Sequence, residues 1–242
     1  MGPLKFEECV RSCLIPETQP PGKPALLPLA VREGKLCTRA VLVEKAPAVI
    51  GSGYEGPHMD ILQRNVSVRM TRHSLDNLPA VSLPSGFTVR WYATGDDKTW
   101  GDVQARTERL LKITPEVHAR EFGTDPGPLA ARQAFLSAPD GSVIGTASAW
   151  FDPNFWGLPF GRVHWVAIVP EMQGRGLAKP LMAVVLQRLR ELGHERACLG
   201  TSTARVPAIN LYRKLGFVPD IRTAEEVDIW RDWQTAAGVD RW

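Results

Sequence analysis

From residue 86 onward, apolar and polar positions alternate with the periods of strands and helices. GFTVRWY (residues 86–92) alternates and predicts a strand. A helix opened by Asp96 or Asp97 follows, and its apolar positions share one face: Trp100, Val103, Leu110 and Leu111. Thr114 before Pro115 indicates a second helix. RQAFLSA (132–138), a PDG turn and VIGTASAWF (143–151) predict a β-hairpin.

The pattern then changes to strands that alternate with helices. DPNFWGLPFG (152–161) is interpreted as a loop that leads into a strand, and a long helix follows that strand to about Leu192. RACLGTST (196–203) predicts another strand, and the next helix opens at Pro207 and closes at Gly216. A hairpin followed by a βαβ crossover predicts an α/β fold of the α+β type, with a mixed central sheet flanked by helices.

The composition and the hydrophobic pattern of residues 1–85 differ from those of the rest of the chain. PETQPPGKPALLP (16–28) predicts an extended connector, because proline lacks an N–H group and fixes φ. LCTRAVLV (36–43) and NVSVRMT (65–71) have the composition of strands. We therefore divide the chain into an irregular N-terminal extension, residues 1–85, Pro-rich and partly β, and a regular domain, residues 86–242. The domain ends in a helix whose start carries a capping-box pattern, Thr223 with Glu226.

Composition and charge narrow the possible functions. Of the 242 residues, 44% are hydrophobic and 23% are charged, and no apolar run approaches a membrane span of about 20 residues. The start of the chain lacks a basic segment followed by an apolar one, so we expect a cytoplasmic protein. A net charge of +3 argues against a nucleic-acid surface. The cysteines form no CxxC pair and have no histidine at ligand spacing, which argues against a metal site: Cys9, Cys13, Cys37 and Cys198.

The segment VHWVAIVPEMQGRGLAKPLM (163–182) places glycines between a strand and a helix. It fails the P-loop pattern, because Lys179 is followed by Pro180, and it fails the dinucleotide pattern, because Lys179 stands where a third glycine is needed. A glycine turn at a helix N-terminus still brings backbone N–H groups and the helix dipole to an anion, and Arg175 adds positive charge. A tight turn without a ligand is the alternative interpretation.

A second segment, AINLYRKLGF (208–217), follows this turn at a spacing that resembles the GNAT acyltransferase superfamily, whose members use acetyl-CoA or a related acyl-CoA. Residues 173–178 match the superfamily motif Q/R-x-x-G-x-G/A as Q-G-R-G-L-A, and the downstream segment matches A-x-x-L-Y-x-K-L-G-F. The resemblance covers roughly residues 86–219. It implies a GNAT fold and an N-acetyltransferase that carries an acetyl or short acyl group to a primary amine, with acetyl-CoA as co-substrate and without a metal.

The resemblance also implies a cofactor site. The backbone N–H groups of residues 173–178 would hold the CoA pyrophosphate, and the pantetheine arm would lie between two splayed parallel strands. An N–H group near Ile168 would polarise the thioester carbonyl. Arg205 stands where many relatives carry an asparagine that contacts the arm, so that contact is in question. The residues assigned to the cofactor are Val166, Ala167, Ile168, Gln173, Gly174, Arg175, Gly176, Leu177, Ala178, Thr201, Arg205 and Tyr212.

Acyl transfer needs a neutral amine, and an amine with a pKa of about 10 is protonated near pH 7. Strand alternation places Arg162, His164, Val166 and Ile168 on one face, and His164 is the candidate base, directly or through water. Tyr212 matches the tyrosine that the superfamily uses to protonate the thiolate. The alternatives are a packed strand residue for His164 and a core residue for Tyr212.

Trp165 is expected on the opposite face, in the core. The remaining histidines are expected at the surface: His58, His73, His118 and His194.

The acceptor and the partners are less defined by the sequence. Phe151, Phe155, Trp156 and Phe160 either line a substrate pocket or anchor a loop. No acidic groove for a basic peptide is evident, which favours a small-molecule amine over a protein, and no nucleic-acid or membrane partner is expected. A homodimer is compatible with the sequence. The alternative function is a non-catalytic acyl-CoA-binding or sensing module.

Two departures from the superfamily carry structural expectations. Pro180 lies in the first turns of the cofactor helix, so we expect an irregular helix start. The closing strand after Phe217 is not visible, and we expect residues before Gly86 to supply or cover that edge of the sheet.

Overall fold

The computed structural model describes residues 60–109 and 111–239, which fold around a seven-stranded sheet. The helices of this part of the chain are α1 (Ile61–Arg64), α2 (Asp96–Thr107), α3 (Pro115–Phe122), α4 (Pro126–Arg132), α5 (Ala178–Glu191), α6 (Val206–Lys214) and α7 (Ala224–Ala237). The strands are β1 (Ser67–Arg72), β2 (Thr88–Trp91), β3 (Gln133–Ser137), β4 (Val143–Phe155), β5 (Leu158–Ile168), β6 (Ala197–Ser202) and β7 (Val218–Pro219). None of the described helices is long and apolar enough to cross a membrane.

The sheet is mixed, as predicted, and helices cover both of its faces. Its strand order is β2-β3-β4-β5-β6-β1-β7, and β5 and β6 are its parallel pair. Side chains alternate along β3: Phe135 packs in an aromatic cluster with Trp100 and Phe122 of α2 and α3, whereas Ala134 and Leu136 join the main core. The main core includes the buried face of α5, which packs against β3, β4 and β5.

The parallel strands β5 and β6 separate soon after they meet. Their register contains the pairs Gly161 with Ala197 and Arg162 with Cys198, and no later residues of the two strands pair. On its other side β6 pairs along its whole length with β1. Within the described part of the chain, the edge of β5 from residue 163 to 168 therefore has no strand partner on the β6 side and faces a gap. This is the splay that the resemblance implies.

A bulge interrupts β5 at the same level. Thr146 of β4 lies opposite Ala167, and Ser148 lies opposite His164, so two residues of β5 face one residue of β4. Trp165 in the bulge has a φ of 51°. Cross-strand partners point to the same face of the sheet, so His164 shares a face with Ser148, and Ile168 shares a face with Gly145. Gly145 and Ser148 are three residues apart on β4 and therefore point to opposite faces. The predicted common face of His164 and Ile168 is therefore wrong, because the extra residue reverses the alternation.

Residues before Gly86 contribute a strand to the interior of the sheet. β1 lies between β6 and β7 and is antiparallel to both. The strand predicted at 65–71 is confirmed as Ser67–Arg72, whereas the one predicted at 36–43 lies outside the described residues. The closing strand after Phe217 exists, but it is only Val218–Pro219. The division of the chain at residue 85 stays a prediction.

Three element predictions differ from the structure. α2 ends at Thr107, so Leu111 lies outside it and is 59% exposed, and Leu110 is not among the described residues. The loop expected at 152–161 is the tip of the β4–β5 hairpin, which turns at residues 156–157 with φ values of 55° and 83°. α4 was not expected, because two prolines fall inside it. The capping box of α7 is confirmed by both of its bonds, between Thr223 and Glu226.

Candidate active site

The glycine turn between β5 and α5 has open space above its backbone. Gly174 and Gly176 both have a φ of 74°, a conformation that side chains disfavour. A Cβ atom added to either glycine would meet no atom of residues 60–109 or 111–239 within 4 Å. Leu177 is the N-cap of α5, and the first-turn N–H groups of the helix have no intrahelical acceptors. The turn therefore presents backbone donors and a helix dipole to open space, which suits an anionic group.

Pro180 does not disturb this helix. α5 is helical from Ala178, and the N–H of Leu181 donates to the Leu177 carbonyl at 3.2 Å. The expected irregular start is therefore not observed, because a proline in the first turn replaces an N–H that has no intrahelical acceptor anyway.

The unpaired edge of β5 leads directly to the turn. Val166, Ala167 and Ile168 lie on this edge, opposite the gap to β6. The side-chain amide of Gln173 donates to the Ile168 carbonyl at 2.8 Å and so ties the turn to the end of the strand. Across the gap on β6, the Thr201 hydroxyl is buried and has no partner among the described residues. The structure thus brings together the strand and turn residues that the sequence assigned to the cofactor.

Tyr212 lies on α6 and is nearly buried. It is 8% exposed, belongs to the main core and has its ring 6.1 Å from that of Phe217. Burial raises the pKa of Tyr212 to about 12, against a smaller opposing effect of Arg205. The phenol therefore stays protonated near pH 7 and can donate a proton.

Arg205 is already engaged by a carboxylate. Its guanidinium lies 2.7 Å from Oε2 of Glu108, whose side chain is only 6% exposed. Arg106 pairs with Glu171, which precedes the glycine turn. Ion pairs therefore join the C-terminal end of α2 to two segments: Arg106 to the residues before the glycine turn, and Glu108 to the start of α6. A direct contact of Arg205 with a cofactor stays a prediction.

His164 and Trp165 share one carboxylate oxygen. His164 Nε2 and Trp165 Nε1 each lie 3.1 Å from Oε2 of Glu121 on α3. Trp165 thus reaches the same group as His164, and the prediction that it faces the opposite side is wrong because the bulge turns its backbone to positive φ. Glu121 was missed from the sequence, since no motif surrounds it.

Burial lowers the pKa of His164 to about 4, with a further lowering by Arg162 and a smaller opposing effect of Glu121. Partial burial works to raise the pKa of Glu121, but hydrogen bonds from Trp165 and His164 and the nearby imidazole hold it below its usual range. Near pH 7 the imidazole is therefore neutral and the carboxylate is charged. A neutral imidazole can accept a proton.

A row of polar side chains crosses the sheet beside His164. Gln133, Ser148 and His164 are successive cross-strand neighbours on β3, β4 and β5. His118 Nε2 lies 3.0 Å from Oε1 of Gln133, and its 4% exposure shows that the surface placement expected for it is wrong. His73 is exposed as expected and His194 is partly buried, whereas His58 lies outside the described residues.

The aromatic residues of the β4–β5 hairpin are anchored. Phe155 and Phe160 are buried against Cys198, whose thiol pKa burial raises to about 12. Trp156 is held by Arg69 and Arg222, which lie over its ring, and by a 2.7 Å hydrogen bond from Nε1 to Asp220. Phe151 stacks on Trp150. These contacts favour the anchoring role over the substrate-pocket role.

The buried imidazole predicts an acid-sensitive fold. The unfolded chain protonates this histidine near pH 6.5, whereas the folded protein resists protonation down to about pH 4. The free energy of unfolding is therefore expected to fall as the pH drops from 6.5 to 4. His164→Gln should flatten this decline by about 3 kcal/mol, the free-energy equivalent of the shift in the His164 pKa, measured by urea denaturation across the range. His73→Gln, at an exposed site, should leave the decline unchanged; equal slopes for all three proteins would contradict the prediction.

Comparisons with known proteins agree with this architecture. The family model described as "Acetyltransferase (GNAT) family" matches residues 104–217. A mycothiol acetyltransferase of Thermomonospora curvata is 32% identical over 181 residues, 71% of this chain and 57% of the relative. One of Pseudarthrobacter chlorophenolicus is 32% identical over 161 residues, 62% of this chain and 48% of the relative. The chain thus spans about half the length of these relatives.

The solved structures show the same fold. A GCN5-related N-acetyltransferase from Sphaerobacter thermophilus superposes with a TM-score of 0.54 at 21% identity, over 64% of this chain and 48% of that one. The sheet with its splayed strands, the glycine turn that opens α5 and the matching sequences lead to one assignment. The chain belongs to the GNAT family of acetyltransferases.

Proposed function

We propose that the chain is an N-acetyltransferase that carries an acetyl or short acyl group from acyl-CoA to the primary amine of a small molecule. The observation that carries this proposal is the unpaired β5 edge, which ends at a glycine turn and a helix N-terminus. A strand edge offers alternating N–H and C=O groups to an amide-bearing arm, and the turn offers donors to a pyrophosphate.

The cofactor residues follow from this placement. Backbone N–H groups of residues 174–178 bind the pyrophosphate, and Arg175 adds positive charge to the site. The N–H of Gln173 does not take part, because it donates to the Pro170 carbonyl at 3.2 Å. The arm pairs with the edge at Val166 to Ile168, with the Thr201 hydroxyl across the gap. Bound in this way, acetyl-CoA supplies the activated acyl group.

Two side chains handle the protons of the transfer. The amine nitrogen bonds to the acyl carbon as the C–S bond breaks, the nitrogen loses a proton, and the sulfur gains one. His164, directly or through a water, accepts the amine proton after the nitrogen has attacked and become acidic. Its imidazole is neutral near pH 7, and its pKa of about 4 makes it too weak a base to deprotonate a free ammonium group. Tyr212 donates to the sulfur, because its phenol is protonated there.

A small-molecule acceptor agrees with the relatives. The two relatives described above are named mycothiol acetyltransferases, which favours a small molecule over a protein tail. Glu121, ionised near pH 7 beside His164, is a carboxylate that can attract a cationic amine to this side of the sheet. The acceptor class is therefore a soluble amine.

An assay of acetyl-CoA-dependent CoA release, run with a panel of small-molecule amines that includes mycothiol-related compounds, tests the function. We expect at least one amine to raise CoA release at least tenfold over the hydrolysis background, with a matching acetylated product by mass spectrometry. Calorimetric binding of acetyl-CoA without turnover by any amine would favour the sensing module. Absence of acetyl-CoA binding would contradict both functions.

A further inference from the structure

We propose that Glu121 is a positioning residue: it fixes the His164 imidazole as the Nε2–H tautomer and so makes Nδ1 the nitrogen that accepts a proton. The catalytic consequence rests on the proposed acetyl transfer, whereas the tautomer does not. Oε2 of Glu121 lies 3.1 Å from His164 Nε2 and 3.1 Å from Trp165 Nε1, and Oε1 lies 3.3 Å from Arg120.

The charge of Glu121 decides which atom carries the hydrogen. Its pKa lies below the usual range, so near pH 7 the carboxylate is ionised and can only accept hydrogen bonds. Trp165 Nε1 is always a donor, which is consistent with this state. The contact with His164 Nε2 therefore requires a hydrogen on Nε2. Because a neutral imidazole carries one ring N–H, its Nδ1 holds a lone pair.

Nδ1 is the ring nitrogen of His164 that is free to accept a proton. Within residues 60–109 and 111–239, the ring of His164 makes its hydrogen bond through Nε2, and Nδ1 has none. The neighbouring residue on β4 is Ser148, whose hydroxyl is buried and also has no partner within that described range. His164 therefore has a cross-strand neighbour whose hydroxyl is not committed to another bond within the described residues. A water between Nδ1 and this hydroxyl would suit a base that acts through a relay.

Glu121 also supports the bulge. Trp165 has a φ of 51°, which is costly for a bulky side chain. Its indole is held by the bond to Glu121 and by an edge contact with Trp100, whose ring centroid lies 5.2 Å away. Val166 belongs to the bulge and Ala167 follows it, and both lie on the part of β5 that does not pair with β6. One carboxylate thus orients the imidazole and steadies the backbone beside the gap.

The test reads the tautomer directly. Nitrogen-15 NMR of protein labelled at histidine distinguishes Nε2–H from Nδ1–H, and His164→Gln assigns the signal among the five histidines. We expect wild-type His164 near pH 7 to be the Nε2–H form. In Glu121→Gln the amide can donate as well as accept, so the signal should shift to a mixture. An Nδ1–H or doubly protonated wild type would overturn the proposal without any variant, and so would an unchanged signal in folded Glu121→Gln.

Kinetics separate this inference from the proposed function. Glu121→Gln should lower kcat about tenfold at pH 7 with an unchanged KM for acetyl-CoA, and Glu121→Asp should recover part of it. Glu116→Gln, on the exposed first turn of the same helix, is the matched control and should change neither quantity. If the tautomer is as expected but the wild type acetylates no amine, the proposed function fails and the positioning stands. Full kcat in Glu121→Gln would refute the positioning and leave the function intact.

Discussion

Gly176→Glu is expected to lower the affinity for acetyl-CoA at least a hundredfold, about 3 kcal/mol of binding free energy. Gly176 has a φ of 74°, so a side chain strains the turn that aims the N–H groups. The space around an added Cβ atom is open, so the new carboxylate would stand where the pyrophosphate binds and repel it. Isothermal titration with acetyl-CoA and with CoA measures the loss.

Gly193→Glu is the matched control for this substitution. Gly193 follows the opposite end of α5, has a φ of 84°, and an added Cβ there also meets nothing within 4 Å. It introduces the same charge and similar backbone strain away from the gap. We expect it to bind acetyl-CoA within about threefold of the wild type, with thermal denaturation to check that both variants fold. A Gly176→Glu protein that binds as well as Gly193→Glu would refute the phosphate site.

Local patterns predicted those elements whose cause is local. The capping box at Thr223 and Glu226 forms both of its bonds, and the strand predicted at 86–92 is found as Thr88–Trp91. The β4–β5 hairpin tip was taken for a loop because Pro153, Gly157 and Pro159 break the alternation that marks a strand. The position of β1 beside β6 could not be predicted, because pairing between distant segments leaves no signal in either segment alone.

The same distinction separates the two halves of the candidate site. The glycine turn is contiguous, so its backbone geometry at residues 173–178 could be anticipated from residue type. The contact between Glu121 and His164 spans 43 positions of sequence and depends on how α3 packs on the sheet. The bulge depends on one residue, Trp165, whose positive φ has no marker in the sequence. The glycine turn could therefore be predicted from the sequence, whereas the carboxylate that contacts His164 could not.

Tyr212→Phe is expected to lower kcat about a hundredfold while the affinity for acetyl-CoA changes by less than threefold. General acids contribute typically 10² to 10⁴ in rate, and the substitution removes only the hydroxyl that we propose as the proton donor. The ring keeps its place in the core against Phe217, so the stability should stay within about 1 kcal/mol of the wild type. Steady-state kinetics with the best amine, titration calorimetry and urea denaturation measure the three quantities.

Tyr92→Phe supplies the control, because Tyr92 follows β2 at the far edge of the sheet and stacks on His118. It should retain wild-type kcat.

The high pKa of Tyr212 adds a second readout: the wild-type rate should show no loss from tyrosine ionisation between pH 7 and 9, because the phenol deprotonates only near 12. A slow thiolate departure in Tyr212→Phe should also be eased by acyl donors whose thiols have lower pKa values, since these need less protonation as they leave. If Tyr212→Phe keeps kcat within threefold, Tyr212 serves the core alone and water protonates the thiolate.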